Sequence, residues 1–283
     1  MNEPPAGIDD ADVLAVVRAH WDPAVDRAEH LPVGFGAWHW RASAGGEPRL
    51  FVTYDLPMPG RHSAETLAST YTGAAALHEA GLEFVVPPLP TSSGLFTVPI
   101  GDGLLSATPW VTGERPAVAD GVRPLLQRLH ATDPPAGIRR WRPLVGPTFS
   151  EELAERISVR WDQGPFGERA RVAIREALPA ITAWTATYHR LADAEDPTTW
   201  VTTHGEPHER NQLLPETGIV LVDWESLMLA PADRDLRAPG GLFDLEWRLD
   251  EIDQYATRFA GPHGDPEDDR EAIAGLEAEL TRE

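Results

Sequence analysis

Cysteine and lysine are both missing from this 283-residue chain: it contains no Cys, and every one of its 24 Lys+Arg residues is Arg. Without cysteine there is no disulfide and no thiolate metal site, a composition that suits a reducing cytoplasm. Without lysine there is no Walker A loop, because that loop grips phosphate with a lysine. Long apolar runs are missing as well. No stretch of 18 or more apolar residues occurs and the mean hydropathy is -0.30, so no membrane-spanning helix is expected. Residues 1–12 are acidic and proline-containing, with neither a basic n-region nor an apolar h-region, so no secretory signal is expected. Positive charge is scarce: Asp+Glu number 45 and the formal net charge is -21. That balance argues against nucleic acid and anionic membrane as partners. It favours a cationic small molecule, because an acidic cleft concentrates cations.

What is present is enough apolar material, 42% of residues, for a large core. Helical spacing covers residues 10–21. Residues 31–56 read as a hairpin, with strands at 32–40 and 49–55 around turn chemistry at 44–48. An alanine-rich helix over 63–80 stops at Gly81, and strand-like pieces follow at 84–90, 95–100 and 103–111. From about residue 118 the periodicity is mostly helical, over 118–130, 150–161, 166–191, 242–259 and 268–280. Clear strands there are expected only near 199–203, 211–214 and 219–222, with a loop over 134–147. The pattern predicts an α+β chain, a small β-rich part at residues 1–108 and a mainly helical part at 109–283, joined by a hinge at 106–112.

Chemistry concentrates between His204 and Leu236. The chain reads H-G-E-P-H-E-R-N from His204 to Asn211, then G-I-V-L-V-D-W-E from Gly218 to Glu225, then A-D-R-D-L from Ala232 to Leu236. Glu206 lies on a Gly-Glu-Pro backbone too broken for a helix interior, Asn211 follows five residues later, and Asp223 ends an apolar strand. This is the inventory of a phosphoryl-transfer site. One carboxylate orients or deprotonates a hydroxyl, and an amide and a second carboxylate offer hard oxygens to Mg²⁺ beside a nucleotide. The same stretch contains H-x-E-x-H, with His204, Glu206 and His208. Helical zinc sites use histidines at i, i+4 on one face, and Gly205 and Pro207 argue against that helix. Gly34 and Gly36, ahead of a strand, suit either a loop covering phosphates or a plain hairpin-entry turn.

The order and spacing of these motifs resemble the aminoglycoside phosphotransferase and choline kinase-like superfamily, whose usual form is H-G-D-x-x-x-x-N followed by I-D-W. Glu206 stands at that aspartate. The H-G-E-P-H form, residues 31–40 and 81–90, and the hinge Thr108-Pro-Trp-Val-Thr-Gly113 are similar to an actinobacterial antibiotic-phosphotransferase branch. The resemblance implies a two-lobed protein-kinase-like fold, with nucleotide held by the N-terminal lobe through Gly34, Gly36, Thr53, Thr108 and Trp110. It implies catalytic roles for Glu206, His204 and Asn211, and metal ligation by Asn211 and Asp223. His204 would hold the loop. Asp235 matches an aspartate that buttresses the turn, and it is grouped on the substrate side with Asp244, Glu246, Asp250 and Asp253 of a C-terminal helix. The implied activity is transfer of the γ-phosphate of ATP or GTP, with Mg²⁺, to a hydroxyl of a cationic antibiotic: an aminoglycoside, an aminocyclitol, or a basic cyclic peptide such as capreomycin or viomycin. A monomeric cytoplasmic resistance enzyme is expected. A kinase of amino sugars or choline-like metabolites, and a non-catalytic nucleotide-binding pseudokinase, are the alternatives. The chain departs from the kinase pattern at one point. Thr53 stands near the place of the strand lysine, and the place of its helix glutamate partner falls at residues 70–72, which are Thr, Tyr and Thr.

Overall fold

The computed structural model describes residues 1, 3–34, 36–57, 63–116 and 119–282. Phe35, between the paired glycines, and Val118, the expected start of a helix, lie outside the described residues. By internal packing the chain divides into two compact units, Met1–Trp141 with Thr199–Asp235, and Arg142–Thr198 with Leu236–Glu283. This division does not follow a cut near residue 108.

The first unit opens with helix α1 (Asp10–His20). Asp9 caps it by accepting from the Ala11 and Asp12 amides at 2.9 Å, and the Asp12 carboxylate returns a bond to the Asp9 amide. Strands β1 (Arg27–Leu31), β2 (Trp38–Ala44) and β3 (Glu47–Asp55) follow, then helix α2 (Ala64–Glu79), and then β4 (Val98–Ile100) and β5 (Gly103–Pro109). They make a five-stranded antiparallel sheet in the order β1-β2-β3-β5-β4. One face packs on α1: Val13 and Val17 meet Trp40, Ala42, Val52, Leu105 and Ala107 in a single cluster. The Trp40 indole donates to Asp10 Oδ1 at 2.8 Å, pinning the helix start to β2. Because side chains alternate along a strand, burying Leu50, Val52 and Tyr54 turns Phe51 and Thr53 to the other face.

The rest of the first unit carries α3 (Arg123–His130), β6 (Val201–Thr203), β7 (Gln212–Leu213), β8 (Val220–Leu221) and β9 (Met228–Ala230), with β6 paired to β9 and β7 to β8. A second cluster joins Ala74 and Leu77 of α2, Phe84, Leu126 and Leu129 of α3, Leu221 and Trp224. The 84–86 segment bonds to β8 through Leu221 N–H to Phe84 O at 2.7 Å and Val86 N–H to Leu221 O at 3.0 Å. The second unit is helical, with α4 (Phe149–Arg156), α5 (Gly167–Ala192), α6 (Leu242–Ala260) and α7 (Glu267–Thr281). Among the described residues no helix is long and apolar enough to cross a membrane.

The α+β class is as expected, and three strands correct the element reading. The expected hairpin is present as β2 and β3, its first strand starting at Trp38, and an additional strand, Arg27–Leu31, precedes it; its R-A-E-H-L sequence is polar because it is an edge strand with one neighbour. Residues 84–90 supply only an isolated bridge, Val85 to Leu221. β9 went unexpected because three residues show no period. Trp40 carries the packing of α1 on the sheet and is fully buried. Trp40→Ala should lower unfolding stability by about 3–5 kcal/mol in urea denaturation. A loss under 1 kcal/mol would show that this cluster is not the support of the sheet.

Candidate active site

After β6 the chain turns sharply through His204, Gly205 and Glu206. Gly205 has φ +99°, and a Cβ there would lie on the Arg234 guanidinium, so only glycine fits. A short helical turn, Ala232–Asp235, brings the buried Asp235 beneath. Asp235 Oδ2 accepts from the His204 amide at 3.2 Å, Oδ1 accepts from the Gly205 amide at 2.6 Å, and His130 Nε2 lies 2.8 Å from Oδ2. The His204 ring is fully buried. Its Nδ1 accepts from the Glu206 amide at 3.2 Å, which leaves Nε2 to donate to the Val222 carbonyl at 2.9 Å. This bonding requires neutral imidazole, and burial holds the pKa below its ordinary value. The ring also packs on Trp224 at 4.5 Å.

Two sequence expectations change here. Asp235, grouped with the substrate-facing acids, lies under the turn with its carboxylate committed to backbone amides and His130. The H-x-E-x-H zinc arrangement is not formed, because both His204 nitrogens are engaged in the backbone bonds just described. Among the described residues no three His, Cys, Asp or Glu side chains close a metal site by themselves.

The turn presents Glu206 half-buried, with Ser226 Oγ 3.4 Å from Oε1 and His208 Nε2 3.7 Å from Oε2. Asn211 Nδ2 donates to the Glu206 carbonyl at 3.0 Å. No hydrogen bond among the described residues uses Asn211 Oδ1, the atom a metal would take. The Asn211 carbonyl accepts from the Val222 amide at 3.1 Å, which places Asp223 as the next residue of the adjoining chain. Asp223 has φ +66°, a left-handed conformation outside glycine's usual territory. Asp223 is exposed to water although protein packs densely around its carboxyl group. The surrounding protein raises its pKa, the Glu206 charge acts in the same direction, and His208 opposes them. Glu206, Asn211 and Asp223 are thus brought together, with an amide oxygen and two carboxylates available to ligands.

The outward face of the sheet holds the other expected residues. Gly34 has φ +77°, and a Cβ on it would meet His39 Nε2 at 2.8 Å. His39 Nδ1 lies 3.2 Å from Thr53 Oγ1. Burial pushes the His39 pKa down to about 4, so no positive charge stands at Thr53. The His39 ring stacks on Phe51 at 4.8 Å, Phe51 meets Trp110 at 6.4 Å, and Thr108 lies opposite Phe51 on β5. His39 and Phe51 were not singled out in the sequence. Their signal was strand alternation, since both share a face with Thr53. Residues 70–72 of α2, the place expected for the glutamate, include Tyr71, whose hydroxyl lies near Ser106 of β5. Burial drives its pKa up.

Asp55, at the end of β3, was also overlooked. It is 5% exposed, and its Oδ2 is sealed from water with no hydrogen-bond partner among the described residues. Burial raises its pKa to about 7, and the charge of Asp223 adds to the effect.

In the second unit, the acidic residues of α6 do not form a bare negative face. Asp244 pairs with Arg282 at 2.7 Å, and buried Glu246 accepts from the Tyr188 hydroxyl. Asp250 is buried and accepts from Gln254 at 3.0 Å. Asp253 is the open one, its side chain 43% exposed, and Arg156 holds it at 2.5 Å. The charges of this helix are largely used inside its own bundle.

Asp55 generates a pH-dependent prediction. Its folded pKa, about 7, lies above the ordinary 3.8. Below 3.8 the group is protonated folded and unfolded, so it costs nothing; the cost grows as pH rises and is complete above about 7. Asp55→Asn should therefore match the parent near pH 4 and exceed it in stability at pH 8, measured by urea denaturation in EDTA. A difference constant across pH would contradict the assignment.

Comparison with known proteins places this geometry. The model of the phosphotransferase enzyme family matches residues 40–276. Protein StrN of Streptomyces griseus is 29% identical over 298 residues, covering 88% of this chain and 85% of that protein. Spectinomycin phosphotransferase APH(9)-Ia, solved in complex with ADP and spectinomycin, is similar in fold with a TM-score of 0.73 at 16% identity, covering 98% of this chain and 96% of that one. The amicoumacin kinase hAmiN, in complex with AMP-PNP and Ca²⁺, gives a TM-score of 0.59 at 12% identity, covering 96% and 93% of the two chains. The structural likenesses establish a kinase-like α+β fold, and the family match spans well over half of the sequence. The chain belongs to the phosphotransferase enzyme family.

Proposed function

We propose that this phosphotransferase moves the γ-phosphate of ATP or GTP to a hydroxyl of a cationic antibiotic of the aminoglycoside, aminocyclitol or basic cyclic peptide class, and thereby confers resistance. The observation that carries the reading is the gathering of Glu206, Asn211 and Asp223 on one braced turn. Glu206 orients the acceptor hydroxyl and takes its proton; its carboxylate is reachable and lies beside Ser226 and His208. Asn211 Oδ1 and Asp223 hold Mg²⁺. Both are hard oxygens, one without a hydrogen bond and the other open to water, which suits an ion that keeps several waters. When bound with nucleotide, magnesium supplies neutralisation of phosphate charge. His204 and Asp235 position the turn and do not touch substrate. The face formed by His39, Phe51, Thr53, Thr108 and Trp110 receives the nucleotide, with Gly34 and Gly36 over its phosphates.

The cationic substrate class is supported by the net charge of -21 and by the antibiotic in the spectinomycin phosphotransferase complex. Of the acidic set on α6, Asp253 keeps a substrate-binding role in the proposal, because an amine could replace its exposed Arg156 contact.

Glu206→Gln keeps shape and removes charge, so it should lower kcat about 10²–10⁴-fold while nucleotide affinity is kept. Asp223→Asn should cost turnover on a similar scale with the circular dichroism spectrum unchanged. Normal kcat in either variant would remove that residue from the site.

The substrate class is tested by ATP consumption against cationic antibiotics, amino sugars and choline-like amino alcohols. The preferred acceptor should carry amines, and its KM should rise with salt, since exposed charge pairs are screened beyond about 10 Å at 0.1 M. A neutral or anionic preferred acceptor without salt dependence would overturn the cationic reading. Nucleotide binding without turnover on any acceptor would point to a non-catalytic nucleotide-binding protein.

A further inference from the structure

Strand β3 carries Thr53 near the place where a kinase-like fold puts its lysine, and the chain has no lysine to put there. The neighbouring strand supplies a different group. In the antiparallel register of β2 and β3, His39 is the partner of Thr53. Directly opposed residues project from the same face of a sheet, so the imidazole stands beside Thr53 on the face turned away from α1. Its Nδ1 lies 3.2 Å from Thr53 Oγ1. Its Nε2 lies against Gly34, where an added Cβ would come within 2.8 Å of that nitrogen. The ring thus spans the interval between position 53 and the glycine-bearing turn ahead of β2. Phe51 stacks on the ring at 4.8 Å and is itself flanked by Trp110 at 6.4 Å, so a packed aromatic side backs the imidazole. Arg41, two residues further along the same face of β2, is committed to Glu29 at 2.6 Å.

We infer that His39 takes the lysine's part: its Nε2–H donates to a phosphate oxygen of the nucleotide, with Thr53 holding the ring from behind. The inference rests on the nucleotide reading of this face proposed above, and it assigns the side chain that touches the phosphates. The Thr53 hydroxyl donates to Nδ1, which puts the ring hydrogen on Nε2, the nitrogen on the Gly34 side. Burial keeps the ring neutral in the empty protein, so the grip is a hydrogen bond to a charged oxygen and not an ion pair. Glycine at 34 has a reason in the same arrangement. Any larger residue there would lie on Nε2, the atom that the phosphate has to reach. A lysine brings its charge on a flexible stem, whereas this donor is aimed beforehand by a strand, a hydroxyl and a stacked ring.

The test is calorimetric titration of the full chain with ATP in the presence of Mg²⁺, and separately with adenosine, which has the base and sugar and no phosphate. His39→Asn places an amide near Thr53 and stops short of the Nε2 position. It should weaken ATP about tenfold or more and leave adenosine within about twofold of the parent. His39→Gln carries an amide N–H to the Nε2 position and should stay within about threefold of the parent for ATP. Thermal melting checks that each variant folds. Thr53→Val keeps the shape, removes the hydroxyl and should weaken ATP in the same direction, so the inference stays testable if asparagine at 39 unfolds the sheet. Unchanged ATP affinity in His39→Asn, equal weakening of ATP and adenosine, or a glutamine variant as weak as the asparagine one would overturn the inference. Failure of the nucleotide reading looks different, because the parent itself would then bind no ATP.

Discussion

One buried carboxylate organises the turn on which the candidate site is built. Asp235 accepts from two consecutive backbone amides, those of His204 and Gly205, and its second neighbour is His130 of α3. Tight turns leave amides pointing inward with no strand or helix to receive them, and an unmet buried amide costs about 1–3 kcal/mol. Meeting two with one carboxylate lets the chain reverse at Gly205. The reversal in turn allows the His204 ring to reach Val222 and close the gap between β6 and the chain after β8. Glu206, Asn211 and Asp223 owe their convergence to this brace.

Charge is handled in two ways in the same molecule. In the second unit, carboxylates on α6 are buried with Arg282 and Tyr188 as partners, so a sequence that looks like a solvated acidic helix is an internally paired one. In the first unit, Asp55 is buried with no hydrogen-bond partner on Oδ2 among the described residues, and the charge of Asp223 acts against its ionisation. Stability alone favours the first arrangement. The second is eased when Asp55 takes up a proton, and its pKa is accordingly raised to about 7. Thr53 lies beside a neutral His39 and Tyr71 near Ser106, uncharged side chains in both places.

Local sequence determined a good deal by itself. The α+β order, α2 ending at Gly81, the long helices of the second unit and the placement of Glu206 on a broken backbone all follow from short-range periodicity, glycine and proline. These are properties a chain carries before it folds. The family was legible for a related reason: the H-G-E-P-H-E-R-N and V-D-W stretches crowd their chemistry into about twenty residues. Short edge strands were not legible, since Arg27–Leu31 and Met228–Ala230 take their conformation from their neighbours in the sheet.

Only the tertiary structure decided which acidic residues are spoken for. Asp235 and Asp223 look alike in sequence, yet one is sealed under backbone amides and the other is open to water. Asp244 and Asp55 look alike as well, yet one has an arginine and the other, among the described residues, has no hydrogen-bond partner on its Oδ2. What each carboxylate meets depends on residues dozens of positions away, the Arg282 cation for Asp244 and the like charge of Asp223 for Asp55, and on how much water the fold leaves around each oxygen. A sequence states how many charges a chain carries; burial and distance, which appear only on folding, decide whether each one stabilises the protein or waits for a ligand.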